Sequence, residues 1–266
     1  MKLKKISKND LNTIKNLQPL GWSDIIPAFQ FYINNSFCFP VKIYDSKKVY
    51  AVGSAIIHDN TAWIAHVIVN PEERRKGMGT RIVQHILEHV KSQDCKTISL
   101  LATEEGSYLY KKFGFKKQIE YALFKREKPM SKKIFSENIL PYKESMNEHI
   151  LQLDKFISGE KRTHILENLL HTSIIFQKEN EIQGIYFPDL NEGYIIAIHS
   201  EAGIALMEYK HTHNVIGGVP IINDTAISFY ENINFIALRN PIRMIYGEPF
   251  EWQPENIYSR IGGNLG

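Results

Sequence analysis

The sequence is poor in features that would cross-link it or anchor it in a membrane. Only two of its 266 residues are cysteines, Cys38 and Cys95, and they form no CxxC pair. A disulfide framework and a cysteine-based zinc site are therefore not indicated, and both thiols are expected to be buried small hydrophobes. No stretch approaches the roughly 18 apolar residues of a membrane helix, and no apolar segment follows the basic residues 1–6. We expect a cytoplasmic protein without membrane contact.

An excess of one charge is also lacking. The formal net charge is +3, from 32 Lys and Arg against 29 Asp and Glu, which is too small to indicate a nucleic-acid-binding protein. A basic cluster does occur at Arg74, Arg75 and Lys76, so an RNA-reading module is one hypothesis, but no wider basic stripe supports it. The 10 histidines form no recognised ligand set. We expect no metal and no nucleic-acid partner.

The length and the composition favour two globular domains. Hydrophobic residues make up 43% and charged residues 23% of the chain, a balance typical of globular proteins. A chain of 266 residues is long for one domain and sufficient for two. Residues 127–133 are polar and contain Pro129, which indicates a boundary. We therefore expect one domain at residues 1–127 and another at residues 134–266.

Hydrophobic periodicity predicts a mixed α/β (α+β) fold in the first half. The strongest signal is a helix at residues 77–91, where apolar side chains recur at helical spacing. Strands before and after it form a strand–helix–strand unit, which favours parallel neighbours. The predicted order is αα-βββ-α-β-α-β, with helices at 9–17, 22–35, 77–91 and 107–113, and strands at 41–44, 49–57, 61–69, 96–101 and 117–126.

The second half repeats this order of elements. Residues 110–115 (YKKFGF) also have a counterpart at residues 230–235 (YENINF). We interpret the chain as two copies of one fold, of which the second has diverged; chance similarity of two α/β halves is the alternative. After its helices, the predicted elements are strands at 173–177, 183–187 and 194–198, a helix at 202–209, a strand at 215–219, a helix at 225–232 and a strand from 236.

The loop before the helix at 77–91 carries the clearest chemical pattern. An apolar strand stops at Asn70-Pro71, a basic turn follows, and Gly77 and Gly79 open the helix. Amides at a helix start lack partners, and the helix dipole favours negative charge there. Because glycine has no side chain, an anion can approach closely, so the loop predicts a pyrophosphate site; a charged surface turn is the alternative. The Walker and GxGxxG phosphate-loop patterns do not fit, since Gly-Lys-Ser/Thr is absent and Ile82 replaces the last glycine.

The loop also has the pattern of a known family. Arg74-x-x-Gly77-x-Gly79 matches the Q/R-x-x-G-x-G/A acyl-CoA signature of the GNAT N-acetyltransferase superfamily. Residues 67–71 resemble the fourth strand of that family, and residues 110–115 resemble its YxKxGF segment. The resemblance implies tandem GNAT folds, each a mixed, mostly antiparallel twisted sheet flanked by helices, with acetyl-CoA as the cosubstrate.

The resemblance also implies a cofactor site. The loop would hold the diphosphate, and the strand backbone would pair with the pantetheine arm and polarise the acetyl oxygen. Tyr110 would act as general acid or hydrogen-bond donor to the leaving sulfur, although an aromatic residue packed on the sheet is the alternative. The implied cofactor-binding residues are Val67, Ile68, Val69, Arg74, Arg75, Lys76, Gly77, Met78, Gly79, Thr80 and Tyr110.

The general base is harder to assign. His66 is the candidate, because it lies on the fourth strand beside the loop and its side chain titrates near neutral pH; a core histidine is the alternative. Glu104 and Glu105 follow the fifth strand, where the family often has a catalytic acidic or amide residue. Solvated loop charges would equally explain both glutamates.

The second domain resembles the degenerate GNAT domain of a two-domain bacterial subgroup. In place of the acyl-CoA loop, residues 199–203 contain Glu201 and a single glycine, which would repel an anion. We therefore expect one cofactor per chain, in the first domain. The matching positions are Asp154, Gly159, Arg162, Arg243, Met244 and residues 257–260.

These features imply an N-acetyltransferase that moves an acetyl group from acetyl-CoA to a primary amine of a small molecule, an amino-acid derivative or a peptide by direct attack. The substrate pocket is expected between the second domain and the aromatic residues Trp22, Phe29 and Tyr32, which could instead belong to the core. A non-catalytic acyl-CoA-binding regulator is the alternative function. We expect a monomer or a homodimer.

Overall fold

The computed structural model describes residues 1–46, 48–131 and 134–265. They divide into two compact units, the first made of Met1–Lys116, Met244–Pro249 and Gly263–Leu265, the second of Lys117–Arg243 and Phe250–Gly262. These limits differ from the expected ones in two ways: residues 117–127 belong to the second unit, and Met244–Pro249 and Gly263–Leu265 belong to the first. Lys132 and Lys133 of the expected boundary, and Gly266 of the expected second domain, lie outside the described residues.

The first unit contains a sheet flanked by helices. Strands β1 to β4 are antiparallel in that order, and β5 is parallel to β4, so the predicted crossover through a helix is confirmed. The strands are β1 (Lys2–Lys5), β2 (Cys38–Tyr44), β3 (Val49–His58), β4 (Thr61–Val69) and β5 (Thr97–Ala102). The helices are α1 (Leu11–Ile14), α2 (Ile26–Asn34), α3 (Met78–Lys91) and α4 (Glu104–Lys111), with 3₁₀ turns at Lys8–Asp10, Lys15–Leu17 and Pro71–Glu73.

Helix α3 packs through the apolar stripe that the sequence predicted. Ile82, Val83, Ile86 and Val90 have no exposed surface, and burying each stabilises the unit by roughly 1.5–3 kcal/mol. A Cβ added at Gly53 of β3 would lie 2.6 Å from Ile82 Cγ2, so a glycine is needed for this close approach. The packing holds α3, and the loop at its start, against β3.

Helices α2 and α4 of the first unit begin well away from the predicted residues. Helix α2 excludes Trp22, because Pro27 occupies its first turn and proline favours that position. Helix α4 begins before residue 107, because Thr103 caps it, and its Oγ1 accepts a hydrogen bond from Gly106 N at 3.0 Å. Glu104 therefore lies in a helical first turn and not in a loop.

The second unit contains an antiparallel sheet in the order β14-β10-β9-β8-β7, while β11 and β12 each pair with β6. The strand predicted from residue 236 is divided into β12 and β13, and β13 enters the first unit at Met244. The strands are β6 (Lys116–Lys125), β7 (Ile139–Pro141), β8 (Ile174–Lys178), β9 (Glu181–Phe187), β10 (Tyr194–Ala197), β11 (Ile216–Pro220), β12 (Ile236–Ala237), β13 (Ile242–Gly247) and β14 (Ile257–Ser259). The helices are α5 (Asn147–Ser158), α6 (Thr163–Leu166), α7 (Ser200–His211) and α8 (Asp224–Asn232), with 3₁₀ turns at Glu144–Met146, Glu167–Thr172 and Pro254–Asn256.

The core of the second unit contains an aromatic cluster and a buried ion pair. Phe124, Tyr230 and Phe235 are packed in one apolar cluster, and Arg162 is bonded to the carboxylate of Asp154 beneath the surface. The predicted fold class, a mixed α/β protein with mostly antiparallel sheets flanked by helices, is confirmed. In the described part of the chain, no helix is both long and apolar enough to cross a membrane.

Candidate active site

Strand β4 carries a bulge at His66. Its pairing with β3 shifts between Val52 and Ser54, so Gly53 faces two residues of β4, His66 and Val67. His66 has a φ of 49°, a left-handed conformation that is uncommon outside glycine. The extra residue interrupts the regular alternation of the strand and re-aims the side chain at the bulge.

After Trp63, before the bulge, β4 and β5 separate. Among the described residues, the two strands pair only at residues 61–63 with residues 97–99. The remainder of β4 therefore has a strand neighbour on its β3 side and none on its β5 side. This gap exposes a strand edge to which an extended ligand could hydrogen-bond.

The unpaired edge belongs to Val67 and Val69. Asn70 N donates to Tyr50 O of β3 at 2.9 Å, and strand alternation then turns the backbone groups of Ile68 to β3 as well. Val67 and Val69 direct their N–H and C=O groups to the opposite side. Ile68 lies opposite Val52 of β3, so its backbone groups turn to that side, and its predicted contribution to a ligand stays a prediction.

The loop after β4 presents a row of unpaired amides. Arg75 has a φ of 61° and Gly77 a φ of 81°, and such left-handed residues turn successive N–H groups to one side. The first helical bond of α3 runs from Arg81 N to Gly77 O at 3.0 Å. Among the described residues, the amides of residues 75–80 make no hydrogen bond of regular geometry to a protein acceptor, although residues 74–77 form a turn, so they can bind an anion at the positive end of the helix dipole.

The cations of the loop are not equivalent. Lys76 Nζ lies 3.1 Å from Glu73 Oε2, and Lys48 Nζ lies 3.1 Å from Glu73 Oε1. Hydrogen bonds from Lys48 and Lys76 hold the pKa of Glu73 below its usual value. Arg74 and Arg75 are exposed and form no ion pair with any described residue. The guanidinium groups of Arg74 and Arg75 are therefore more available to an anionic ligand than the ammonium group of Lys76, which is paired with Glu73.

Gly79 lies where the loop, β4 and α4 meet. A Cβ added there would lie 3.2 Å from Leu109 Cδ2 and 3.6 Å from Val69 Cγ2. Leu109 is the neighbour of Tyr110 on α4, so this packing holds α4 against the turn at residues 75–80. The structure therefore brings together three predicted parts of the site: the strand edge, the loop and α4.

Tyr110 is buried on α4 with its ring edge against Phe115, at 5.8 Å between centroids. Burial raises the pKa of Tyr110 above its usual value, so the phenol stays protonated at neutral pH. Its hydroxyl makes no hydrogen bond with the residues that the structure describes. It is therefore an available donor for a ligand atom.

His66 is held in an aromatic pocket of the first unit. Its Nδ1 lies 2.7 Å from the hydroxyl of Tyr32, and Asn264 Nδ2 donates to that hydroxyl at 3.1 Å. The rings of Trp22 and Phe29 approach the imidazole edge-on at 6.0 and 5.9 Å. Burial lowers the pKa of His66 to about 4, so the expectation that it titrates near neutrality is wrong, and the ring is neutral at pH 7.

This geometry agrees with a family assignment. Residues 11–115 match the model of the Acetyltransferase (GNAT) family. The first unit carries a GNAT domain. The match ends at Phe115, so it includes the strand edge, the loop, His66 and Tyr110.

Similar proteins share this domain or the fold. Mouse cysteine-rich protein 2-binding protein is 33% identical over 87 residues, which are 32% of this chain and 11% of that relative, so the chain spans only a small part of its length. A proposed acetyltransferase from Pyrococcus horikoshii superposes with a TM-score of 0.84 at 17% identity, over 100% of this chain and 95% of that one. A GCN5-related N-acetyltransferase from Anabaena variabilis gives 0.55 at 15% identity, over 92% and 72% of the two chains. At these identities the two structures establish a shared fold.

Not all of the predicted site residues in the GNAT domain contact one another. No hydrogen bond or ring contact joins His66 to Tyr110 among the described residues. Glu104 and Glu105 are exposed in the first turn of α4, where the helix dipole favours them. Of the three aromatic residues that were expected to bound the substrate pocket, Phe29 and Tyr32 are fully buried. Trp22 is half-buried.

Asn264 is the site residue that sequence reasoning missed. It lies 232 positions from Tyr32 in the chain, in a segment that was expected in the second domain. A local pattern carries no information about such a contact, because it depends on how distant segments pack. The only signal is the general rule that a buried tyrosine hydroxyl needs a partner.

The corresponding turn of the second unit is built differently. Glu201 in the first turn of α7 forms an ion pair with Lys178 at 2.7 Å. A Cβ added at Gly203 would lie 2.3 Å from the ring of Tyr258, so that glycine serves close helix packing. The turn thus presents a carboxylate where the first unit presents guanidinium groups.

The buried histidine of the second unit, His211, has both ring nitrogens bonded within the core. His211 Nδ1 lies 2.8 Å from Asn214 O, and its Nε2 lies 3.1 Å from the hydroxyl of Tyr230. Both ring nitrogens are thus used inside the core. Across residues 1–46, 48–131 and 134–265, no group of three His, Cys, Asp or Glu side chains is placed to hold a metal ion.

Proposed function

We propose that the chain is an N-acetyltransferase that moves an acetyl group from acetyl-CoA to a primary amine of a small molecule, an amino-acid derivative or a peptide. The observation that carries the proposal is the row of unpaired amides at residues 75–80, beside the unpaired guanidinium groups of Arg74 and Arg75. A diphosphate fits such a row. Each hydrogen bond to a charged group contributes about 1.5–3 kcal/mol.

The strand edge would extend this cofactor site. The N–H and C=O groups of Val67 and Val69 suit the amides of a pantetheine arm, which is itself an extended chain. An amide at the bulge would then polarise the acetyl oxygen, as in an oxyanion hole. Met78, Gly79 and Thr80 would contribute backbone only, while Lys76 would add a screened positive charge.

The chemical step asks the protein to manage two protons. Acetyl-CoA supplies an activated thioester, which the amine nitrogen attacks directly while the C–S bond breaks. An ammonium group of pKa about 10.4 must lose one proton to solvent water before it attacks, which costs roughly 4 kcal/mol at pH 7.4. The nitrogen loses a second proton as the amide forms, and the leaving thiolate takes one up, so one proton is released in total. Tyr110 would donate a hydrogen bond or a proton to the leaving sulfur. With a pKa near 4, the imidazole of His66 is a poor base for removing a proton from a free ammonium group.

We also propose that the second unit is a degenerate GNAT fold of the two-domain bacterial type, with one cofactor bound per chain. The ion pair of Glu201 and the packed glycine at position 203 support this interpretation. A cytoplasmic location and a monomer or homodimer complete the proposal.

The test combines calorimetry with a thiol-release assay. We expect one coenzyme A per chain, and thiol release from acetyl-CoA with at least one member of a panel of primary amines. Binding without release on any amine would favour the acyl-CoA-binding regulator. Absence of binding would refute the site itself. Arg75→Glu should weaken binding, whereas the matched change Arg239→Glu, at an exposed position in the second unit, should not.

A further inference from the structure

The side chain of His66 is held from several directions. Its backbone is fixed by the bulge, and the rings of Trp22 and Phe29 limit its rotation. One nitrogen, Nδ1, is engaged by Tyr32 at 2.7 Å. The other, Nε2, makes no hydrogen bond with any described residue, so it is the nitrogen left for a ligand.

Asn264 determines which group donates in the two hydrogen bonds that connect Asn264, Tyr32 and His66. An amide nitrogen can only donate, so Asn264 Nδ2 gives its proton to the oxygen of Tyr32. The single hydroxyl proton of Tyr32 must then point to Nδ1 of His66. Burial raises the pKa of Tyr32, so this proton is present throughout the usable pH range.

We propose that Asn264 and Tyr32 are positioning residues that hold His66 in its Nε2–H tautomer, so that His66 offers the reacting groups a hydrogen-bond donor and not a base. A neutral Nε2–H is suited to an oxygen on which negative charge develops, such as that of the thioester carbonyl. This role also accommodates the low basicity of the ring. The inference rests on the proposed function for its catalytic part.

The second unit contains a matched contrast. His211 has a backbone carbonyl, Asn214 O, at its Nδ1 and the hydroxyl of Tyr230 at its Nε2. A carbonyl can only accept, so His211 must carry its proton on Nδ1. His66, paired with Tyr32, and His211, paired with Tyr230, are therefore expected in opposite tautomers.

Nitrogen NMR of the full chain, labelled at histidine, tests the tautomers directly. We expect the proton of His66 on Nε2 and that of His211 on Nδ1. Tyr32→Phe and Asn264→Ala should each convert His66 to a mixture while leaving His211 unchanged. A proton on Nδ1 of His66 in the wild type, or an unchanged ratio in Tyr32→Phe, would overturn the proposal. The wild-type spectrum alone decides the tautomer if a variant does not fold.

Kinetics test the positioning role. Tyr32→Phe should lower kcat roughly tenfold, the order expected when one hydrogen bond is removed, with KM for acetyl-CoA unchanged. Tyr230→Phe removes the same atom from the other buried pair and should leave kcat near wild type. Equal losses in both variants would overturn the role. If the wild type releases no thiol with any amine, the proposed function fails, while the spectra still decide whether the tautomer is set as proposed.

Discussion

Replacing Gly79 by glutamate is the most direct test of the proposed anion site at the amides of residues 75–80. The new Cβ would lie 3.2 Å from Leu109 Cδ2, and a small shift of that flexible side chain relieves the contact. The backbone of Gly79 is not left-handed, so a residue with a side chain can adopt its conformation. The fold should therefore survive. Because the Cα–Cβ bonds of a helix tilt toward its N-terminus, we expect the new carboxylate near the amides of residues 75–80, where a phosphate would lie.

The magnitude follows from comparison with glutamine at the same position. Both side chains obstruct the turn equally, and each hydrogen bond between an amide and the phosphate that they prevent costs about 1.5–3 kcal/mol. The carboxylate alone adds repulsion, which for two unit charges about 4 Å apart is roughly 1–4 kcal/mol between aqueous and surface dielectric values. Gly79→Glu should thus bind coenzyme A at least about fivefold more weakly than Gly79→Gln.

Isothermal calorimetry at two salt concentrations provides the measurement. The difference between Glu and Gln should shrink at high salt, because exposed charges are screened. Thermal unfolding of both variants, monitored by circular dichroism, controls for damage to the fold. An affinity of Gly79→Glu equal to that of the wild type would refute the assignment of the diphosphate to this turn.

Three further outcomes are expected. Tyr110→Phe should lower kcat by about tenfold or more and leave coenzyme A affinity unchanged; a parallel loss of affinity would mean a packing role. Burial lowers the pKa of Lys210 to about 7, against about 10.4 when unfolded. Between these two values the unfolded state binds one more proton, so the free energy of unfolding rises by about 1.4 kcal/mol per pH unit from about pH 7 to about pH 10. Lys210→Met should remove this slope in denaturant titrations at several pH values, and an unchanged slope would contradict the assignment. Asp154→Ala leaves Arg162 buried without its carboxylate and should cost about 3–5 kcal/mol of unfolding free energy, whereas Asp224→Ala, in a first helical turn, should cost much less.

The parts of the fold that local sequence determines were predicted well. Helix α3 was correct because its apolar stripe and its opening glycines lie within one short segment. The predicted starts of α2 and α4 are wrong because Pro27 and Thr103, both typical of a helix start, mark where these helices begin, and periodicity alone does not.

The candidate site was predictable only where its chemistry is local. The loop at residues 74–80 needs no distant partner to present its amides. The state of His66 depends on a bulge, on burial and on Asn264, none of which a short window contains. Its pKa shift is a property of packing, so the residue type alone suggested the wrong titration range.

The division of the first unit among three segments has a consequence during synthesis. Residues 1–116 leave the ribosome long before Met244–Pro249 and Gly263–Leu265, and folding during synthesis proceeds from the N-terminal side. A nascent chain can complete the turn at residues 74–80 well before Asn264 exists to orient Tyr32. We expect such a chain to acquire cofactor affinity first and full catalytic competence last.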